Sequence, residues 1–141
     1  MAFMFQPVFT SLTAVALAAV ALAGCATFAT TPEAAVRARA QQNWNARIAG
    51  DLDKTYAFTT PSYRGATSLD KYKKGFGGAV QLTSAAVATV ECESADKCVS
   101  NTKVAAKPLL TLGRRALPPI VTYIDETWLR EDGQWWLFPT P

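Results

Sequence analysis

The first charged side chain in this 141-residue chain is Glu33. Everything before it is uncharged, and residues 1–24 are mostly Ala, Val, Leu and Phe. A block of that kind has no polar face to turn to water, so it is either removed from the mature chain or held in lipid. All 14 Lys and Arg and all 11 Asp and Glu lie from Glu33 onward. That charged portion has ordinary globular composition and is one domain's worth, enough to bury a core without a metal or cofactor, and none is expected. A net charge of +3 is too mild for a nucleic-acid partner. There is no histidine, which removes Ser-His-Asp and Cys-His chemistry, His-ligated metals and the usual acid/base at neutral pH. Gly-rich phosphate loops, calcium-type carboxylate clusters and Cys/His metal spacings are missing from the sequence too.

The apolar run LTAVALAAVALA at 12–23 has the length of a signal-peptide h-region. It runs into Leu22-Ala23-Gly24-Cys25, which resembles the bacterial lipobox. Small residues let the chain enter the peptidase extended, and the thiol of Cys25 can carry a thioether-linked diacylglycerol. The resemblance implies cleavage before Cys25, a signal peptide at 1–24, a lipidated tether at 25–31 and a folded domain at 32–141. The alternative is an uncleaved anchor, since the uncharged stretch from Phe3 to Ala29 could span about 30 Å. Acyl chains on Cys25 would hold the chain stably to the bilayer. The next residue is Ala26 rather than Asp, which in lipoproteins of the enterobacterial type implies the outer membrane, facing the periplasm. A Gram-positive host would leave the chain on the outer face of its plasma membrane. From Cys25 to Thr31 the tether reaches at most about 20 Å, so the domain would sit near the lipid surface.

Setting Cys25 aside leaves Cys92 and Cys98, an even pair suited to a disulfide in an oxidising compartment. They flank Glu93–Lys97, which reads as the loop of a hairpin between strands at 83–92 and 98–107. The rival reading is a redox or metal pair, but the spacing is not Cys-x-x-Cys and no other soft ligand is at hand.

The mature chain reads helices first and strands after. Thr31-Pro32-Glu33 is a helix start, with a capping hydroxyl, a proline at the first position and an acid in the first turn. Val36, Ala40, Asn43, Trp44, Arg47 and Ile48 follow on one side at helical spacing. Gly50 stops this helix, and Asp51, Pro61 and Ser68 open further short turns, so 32–76 is expected to be helical segments joined by tight punctuation. From Ala79 the period becomes two. Residues 108–119, with three prolines and a glycine, are expected to break the sheet. Ile120–Arg130 and Gln134–Phe138 are strands joined by an Asp132-Gly133 hairpin turn. With that turn Tyr123, Asp125, Thr127, Leu129, Trp136 and Phe138 share one face, and Ile124, Glu126, Trp128, Arg130, Trp135 and Leu137 the other. Both faces carry Trp, so periodicity does not say which one meets the helices. The expected class is α+β, N-terminal helices packed in a curved antiparallel sheet.

Two stretches resemble nuclear-transport-factor-2-like domains. One is Trp44-Asn45-Ala46-Arg47-Ile48-Ala49-Gly50-Asp51 with Tyr56 to Arg64 behind it. The other is the closing Glu126-Thr127-Trp128-Leu129-Arg130-Glu131-Asp132-Gly133-Gln134-Trp135-Trp136. The resemblance covers most of 32–138. It implies a cone-like roll, helices wrapped by a curved sheet, often with an apolar pocket at the open end. That superfamily mixes isomerases and dehydratases with many non-enzymatic members, so fold does not fix function.

Catalytic members of such a superfamily use a pocket carboxylate or His with a Tyr donor. The nearest match here is Asp125 with Tyr123, two apart on one strand face. Against it stands the reading of Asp125 as an exposed strand residue, since the adjacent Glu126 must face the other way and one of the two meets solvent. Trp44, Tyr56, Tyr63, Tyr123, Trp128 and Trp136, with Trp135, either line a ligand pocket or build a core of large rings. Lys71, Lys73 and Lys74, with Arg114 and Arg115, either touch anionic headgroups or form a solvated face. These features point to an envelope lipoprotein anchored through acylated Cys25, acting by binding rather than catalysis, with an envelope protein or a small apolar ligand as its partner. An isomerase or dehydratase working through Asp125 and Tyr123, and an envelope assembly subunit, are the alternatives.

Overall fold

The side chain of Thr31 accepts the backbone N–H of Ala34 at 3.2 Å, and Pro32 fills the first helical position where an amide hydrogen would go unused. These local signals open the computed structural model, which describes residues 30–109, 111–112 and 115–139. Helix α1 runs Pro32–Ile48 and ends where Gly50 adopts a φ of 73°, a left-handed value that costs glycine little. Three short helices follow: α2 Leu52–Ala57, α3 Pro61–Ala66 and α4 Leu69–Lys74. Each is started by a side-chain cap, from Asp51, Thr60 and Ser68.

The strands are β1 Val80–Ser94, β2 Lys97–Pro108, β3 Thr111–Leu112, β4 Arg115–Ala116, β5 Ile120–Glu131 and β6 Gln134–Phe138. Strands β1, β2, β5 and β6 pair in that order in one antiparallel sheet, while β3 and β4 form a separate two-residue ladder. Three register shifts along β1 mark bulges, which bend and twist the strand. Cys92 and Cys98 are register partners across the β1–β2 hairpin and are joined as a disulfide. Asp132 and Gly133 both have positive φ, 51° and 75°, the backbone a two-residue hairpin between right-twisted strands requires.

Helix α1 selects the face. Val36, Ala40 and Trp44 are buried against the side of the sheet that carries Cys98, Ser100, Thr102, Val104, Glu126, Trp128, Trp135 and Leu137. Trp128 is fully buried at the centre, and its indole N–H donates to the equally buried Ser100 hydroxyl at 3.0 Å. Val36, Ala40, Phe58, Cys98, Trp135 and Leu137 surround it. Both sheet edges are partly spent on local contacts. Arg37 donates to the Val87 carbonyl at 2.7 Å, and Gln41 both donates to Ala85 and accepts from Val87 on β1. On the other edge Thr60 and Phe58 exchange backbone hydrogen bonds with Leu137 of β6. Unpaired edge groups invite other chains, and these contacts occupy several of them.

This architecture overturns the expected nuclear-transport-factor-2-like cone of helices packed in a curved sheet. The dominant element is the four-stranded antiparallel sheet, with one 17-residue helix laid on one face. The reason lies in the punctuation. Helices α2, α3 and α4 are six residues each, and between them they bury only Thr55 and Tyr72, too little to form a helical layer for a sheet to wrap. On the opposite sheet face Lys103, Tyr123 and Asp125 are exposed. No described helix is long and apolar enough to cross a membrane. Leu22, Ala23, Gly24 and Cys25 lie outside the described residues.

Candidate functional site

The last two turns of α1 place Trp44 and Arg47 three residues apart on the side of the helix that faces the sheet. On β5, Glu126 shares the parity of Trp128 and so points at the same helix. The Arg47 guanidinium closes on the Glu126 carboxylate at 2.9 Å, with only 6% of the glutamate side chain exposed. Arg47 also sits over the Trp44 ring, 4.5 Å from its centroid, and 5.9 Å from that of Phe76. Arg47 and Glu126 form one wall of a cavity of about 630 Å³ between the end of α1, the α3–α4 segment and β5–β6. Its other walls are largely apolar: Tyr63, Tyr72, Phe76, Ile124 and Leu137.

Aromatic packing holds that side of the cavity in shape. The Tyr72 ring lies 4.7 Å from Phe76 and 5.3 Å from Tyr56, with Tyr63 edge-on at 6.2 Å. The Tyr72 hydroxyl is tied to the Thr55 hydroxyl at 3.2 Å, and Tyr56 donates to the Thr67 carbonyl at 2.6 Å. Both phenols are therefore anchored.

Burial pushes the Glu126 carboxyl above its ordinary range, since removing a carboxylate from water costs more than the neighbouring Arg47 charge returns. The Trp44 indole N–H approaches the same carboxylate and favours its ionised form, outside full hydrogen-bond geometry. Burial likewise raises Tyr72, opposed chiefly by its bond to Thr55. Around the pair lie buried polar atoms with no partner: Glu126 Oε2, Arg47 Nε, Trp44 Nε1, Thr102 Oγ1 and both amide atoms of Asn43. Buried polar groups are nearly always satisfied, so this concentration asks for an explanation. A buried ion pair is also a poor device for stability. Of these residues Arg47 and Glu126 also line the cavity, where they set a charged pair beside apolar rings. No group of three or more His, Cys, Asp or Glu side chains able to hold a metal occurs among the described residues.

The residues singled out from sequence are scattered by the fold. Tyr63 lines the cavity. Trp44 is buried beside Arg47, Tyr56 packs behind Tyr72, and Trp128 is core. Trp136 has the register of the outer face and is flanked by Arg39 and Arg64, at 5.4 and 4.9 Å. Tyr123 is 58% exposed on that face, and Asp125, although at the cavity margin, is exposed and accepts from Asn101 at 2.7 Å. Tyr123 and Asp125 thus do not meet in an enclosed site. Of the basic clusters, Lys71 reaches the cavity rim and Lys73 pairs with Asp53 at 2.7 Å, while Arg114 lies outside the described residues. Sequence reasoning missed Arg47, Glu126, Tyr72 and Phe76. One signal was available: Glu126 is an acid on the strand parity of Trp128, Trp135 and Leu137.

No family model matches the chain, and no curated protein does. Among solved structures it is similar to the solution structure of a SEC-C motif containing protein from Rhodopseudomonas palustris. The TM-score is 0.54 at 15% identity, over 78% of this chain and 77% of that one. At that identity the likeness speaks to the fold alone. It places this sheet-dominated arrangement beside a SEC-C motif protein in place of the nuclear-transport-factor-2-like cone.

Proposed function

We propose that this chain is an envelope lipoprotein, held to the bilayer through acylated Cys25, whose folded part binds a small, mainly apolar molecule without transforming it. The observation that carries the binding role is the cavity of about 630 Å³, walled by Tyr63, Tyr72, Phe76, Ile124 and Leu137 and closed on one side by the buried Arg47–Glu126 pair. The Leu22–Cys25 motif supports the anchor. An exposed Asp125 bonded to Asn101 offers no desolvated base beside Tyr123, which speaks against the enzyme reading through those two residues.

The test is native mass spectrometry of protein extracted from host membranes. A small molecule should co-purify with the wild type. It should be lost from an Ile124→Trp variant, whose larger ring fills the cavity, at unchanged protein abundance. A chemically altered product in place of the bound species would favour an enzyme. A stoichiometric protein partner that survives Ile124→Trp would favour an assembly subunit.

A further inference from the structure

We infer that the cavity selects an uncharged ligand carrying one hydroxyl or amide group, and that the Arg47–Glu126 pair sets this selectivity. The inference rests on the binding role proposed above and adds the ligand's charge class. Four charged residues border the cavity: Arg47, Lys71, Asp125 and Glu126. Lys71 and Asp125 are exposed and keep their water. The two charges that belong to the buried wall are opposite in sign and already joined at 2.9 Å.

A ligand carboxylate entering this site meets Lys71 only at the exposed rim, where water screens its charge. To recruit Arg47 it must displace Glu126, which then remains buried without its partner. A ligand ammonium faces the mirror problem, since Glu126 is committed to Arg47. At the buried wall either ion would shed its hydration for no new opposite charge. A hydroxyl or amide escapes that penalty and can still hydrogen-bond to the Tyr63 or Thr67 hydroxyl, both of which line the cavity. The apolar remainder of the ligand packs on the tyrosine and phenylalanine rings. The pair thus acts as a specificity device that works mainly by rejecting ions.

The experiment titrates the purified protein by calorimetry with three matched probes: 2-naphthalenemethanol, 2-naphthoate and 2-naphthylmethylammonium. The alcohol should bind the wild type at least about tenfold more tightly than either ion. In Glu126→Gln the Arg47 charge is released from its partner, and 2-naphthoate should gain at least about tenfold while the ammonium does not. The gain should vanish in Arg47→Met/Glu126→Gln, with circular dichroism confirming the fold of each variant. An ion binding the wild type as tightly as the alcohol overturns the inference even if Glu126→Gln fails to fold. So does an unchanged probe order in a folded Glu126→Gln. If both ions and the alcohol bind alike, the ligand site stands and the charge selection falls. If none of the three binds, both fall.

Discussion

Replacing Trp128 with alanine tests how the sheet and α1 are held together. The ring is wholly buried among Val36, Ala40, Phe58, Cys98, Trp135 and Leu137, so its loss leaves a void lined by several elements at once. Truncating a buried aromatic to alanine costs about 3–5 kcal/mol. The same change strands the Ser100 hydroxyl, which is fully buried and bonded to the indole N–H at 3.0 Å, adding about 1–3 kcal/mol. The sum is comparable to the roughly 5–15 kcal/mol that stabilises a domain of this size. Urea unfolding followed by far-UV circular dichroism should therefore show a much lower midpoint for Trp128→Ala, or no folded baseline. Trp128→Phe keeps most of the volume and isolates the stranded hydroxyl, and adding Ser100→Ala to it should restore about 1 kcal/mol. Trp136→Ala should cost clearly less, because that ring is only half-buried on the register of the other face. A loss below about 2 kcal/mol for Trp128→Ala would refute the assignment of this ring as the centre of the core.

Three further outcomes are expected. Reducing the Cys92–Cys98 bond, which closes a loop of about seven residues, should lower stability by about 2 kcal/mol; two freely alkylated thiols in exported protein would contradict the pairing. The raised Glu126 carboxyl holds its proton more tightly folded than unfolded, so its contribution to stability is fullest at acid pH and is lost as pH rises through the folded value. Wild type should accordingly lose stability relative to Glu126→Gln as pH rises through that value, and a relative gain over the same range would reverse the assigned sign. A tagged fatty acid fed to the native host should label the wild type and not Cys25→Ala, whereas labelling that survives the substitution would remove the anchor.

What could be read from the sequence was short-range. Thr31-Pro32, Gly50, Asp51, Asp132-Gly133 and the Cys92–Cys98 hairpin act on their own neighbours, and each has the structural role its chemistry dictates. The alternation along β5 and β6 also sorts the residues onto two faces as observed. What periodicity could not choose was the face that meets the helix, because Trp128 and Trp135 on one side are matched by Tyr123 and Trp136 on the other. That choice is made by packing of Val36, Ala40 and Trp44, far away in sequence. The cone fails for a related reason: motifs around Trp44 and Trp128 describe local turns, while the depth of a helical layer depends on how much α2 to α4 bury. Asp125 stands out in the sequence as the carboxylate two residues from a tyrosine. Glu126 becomes the buried one only because β5 brings it against Arg47 from α1, a contact no spacing rule encodes.

The central claim is that the space between α1, the α3–α4 segment and β5–β6 is a ligand site. Its most direct measurement is a two-dimensional amide NMR titration of the purified protein with 2-naphthalenemethanol. Saturable shifts should cluster at Tyr63, Thr67, Tyr72, Phe76 and Ile124, with Lys103, Val121 and Tyr123 on the far sheet face unmoved. Shifts centred on that far face, or none at saturating probe, would contradict it.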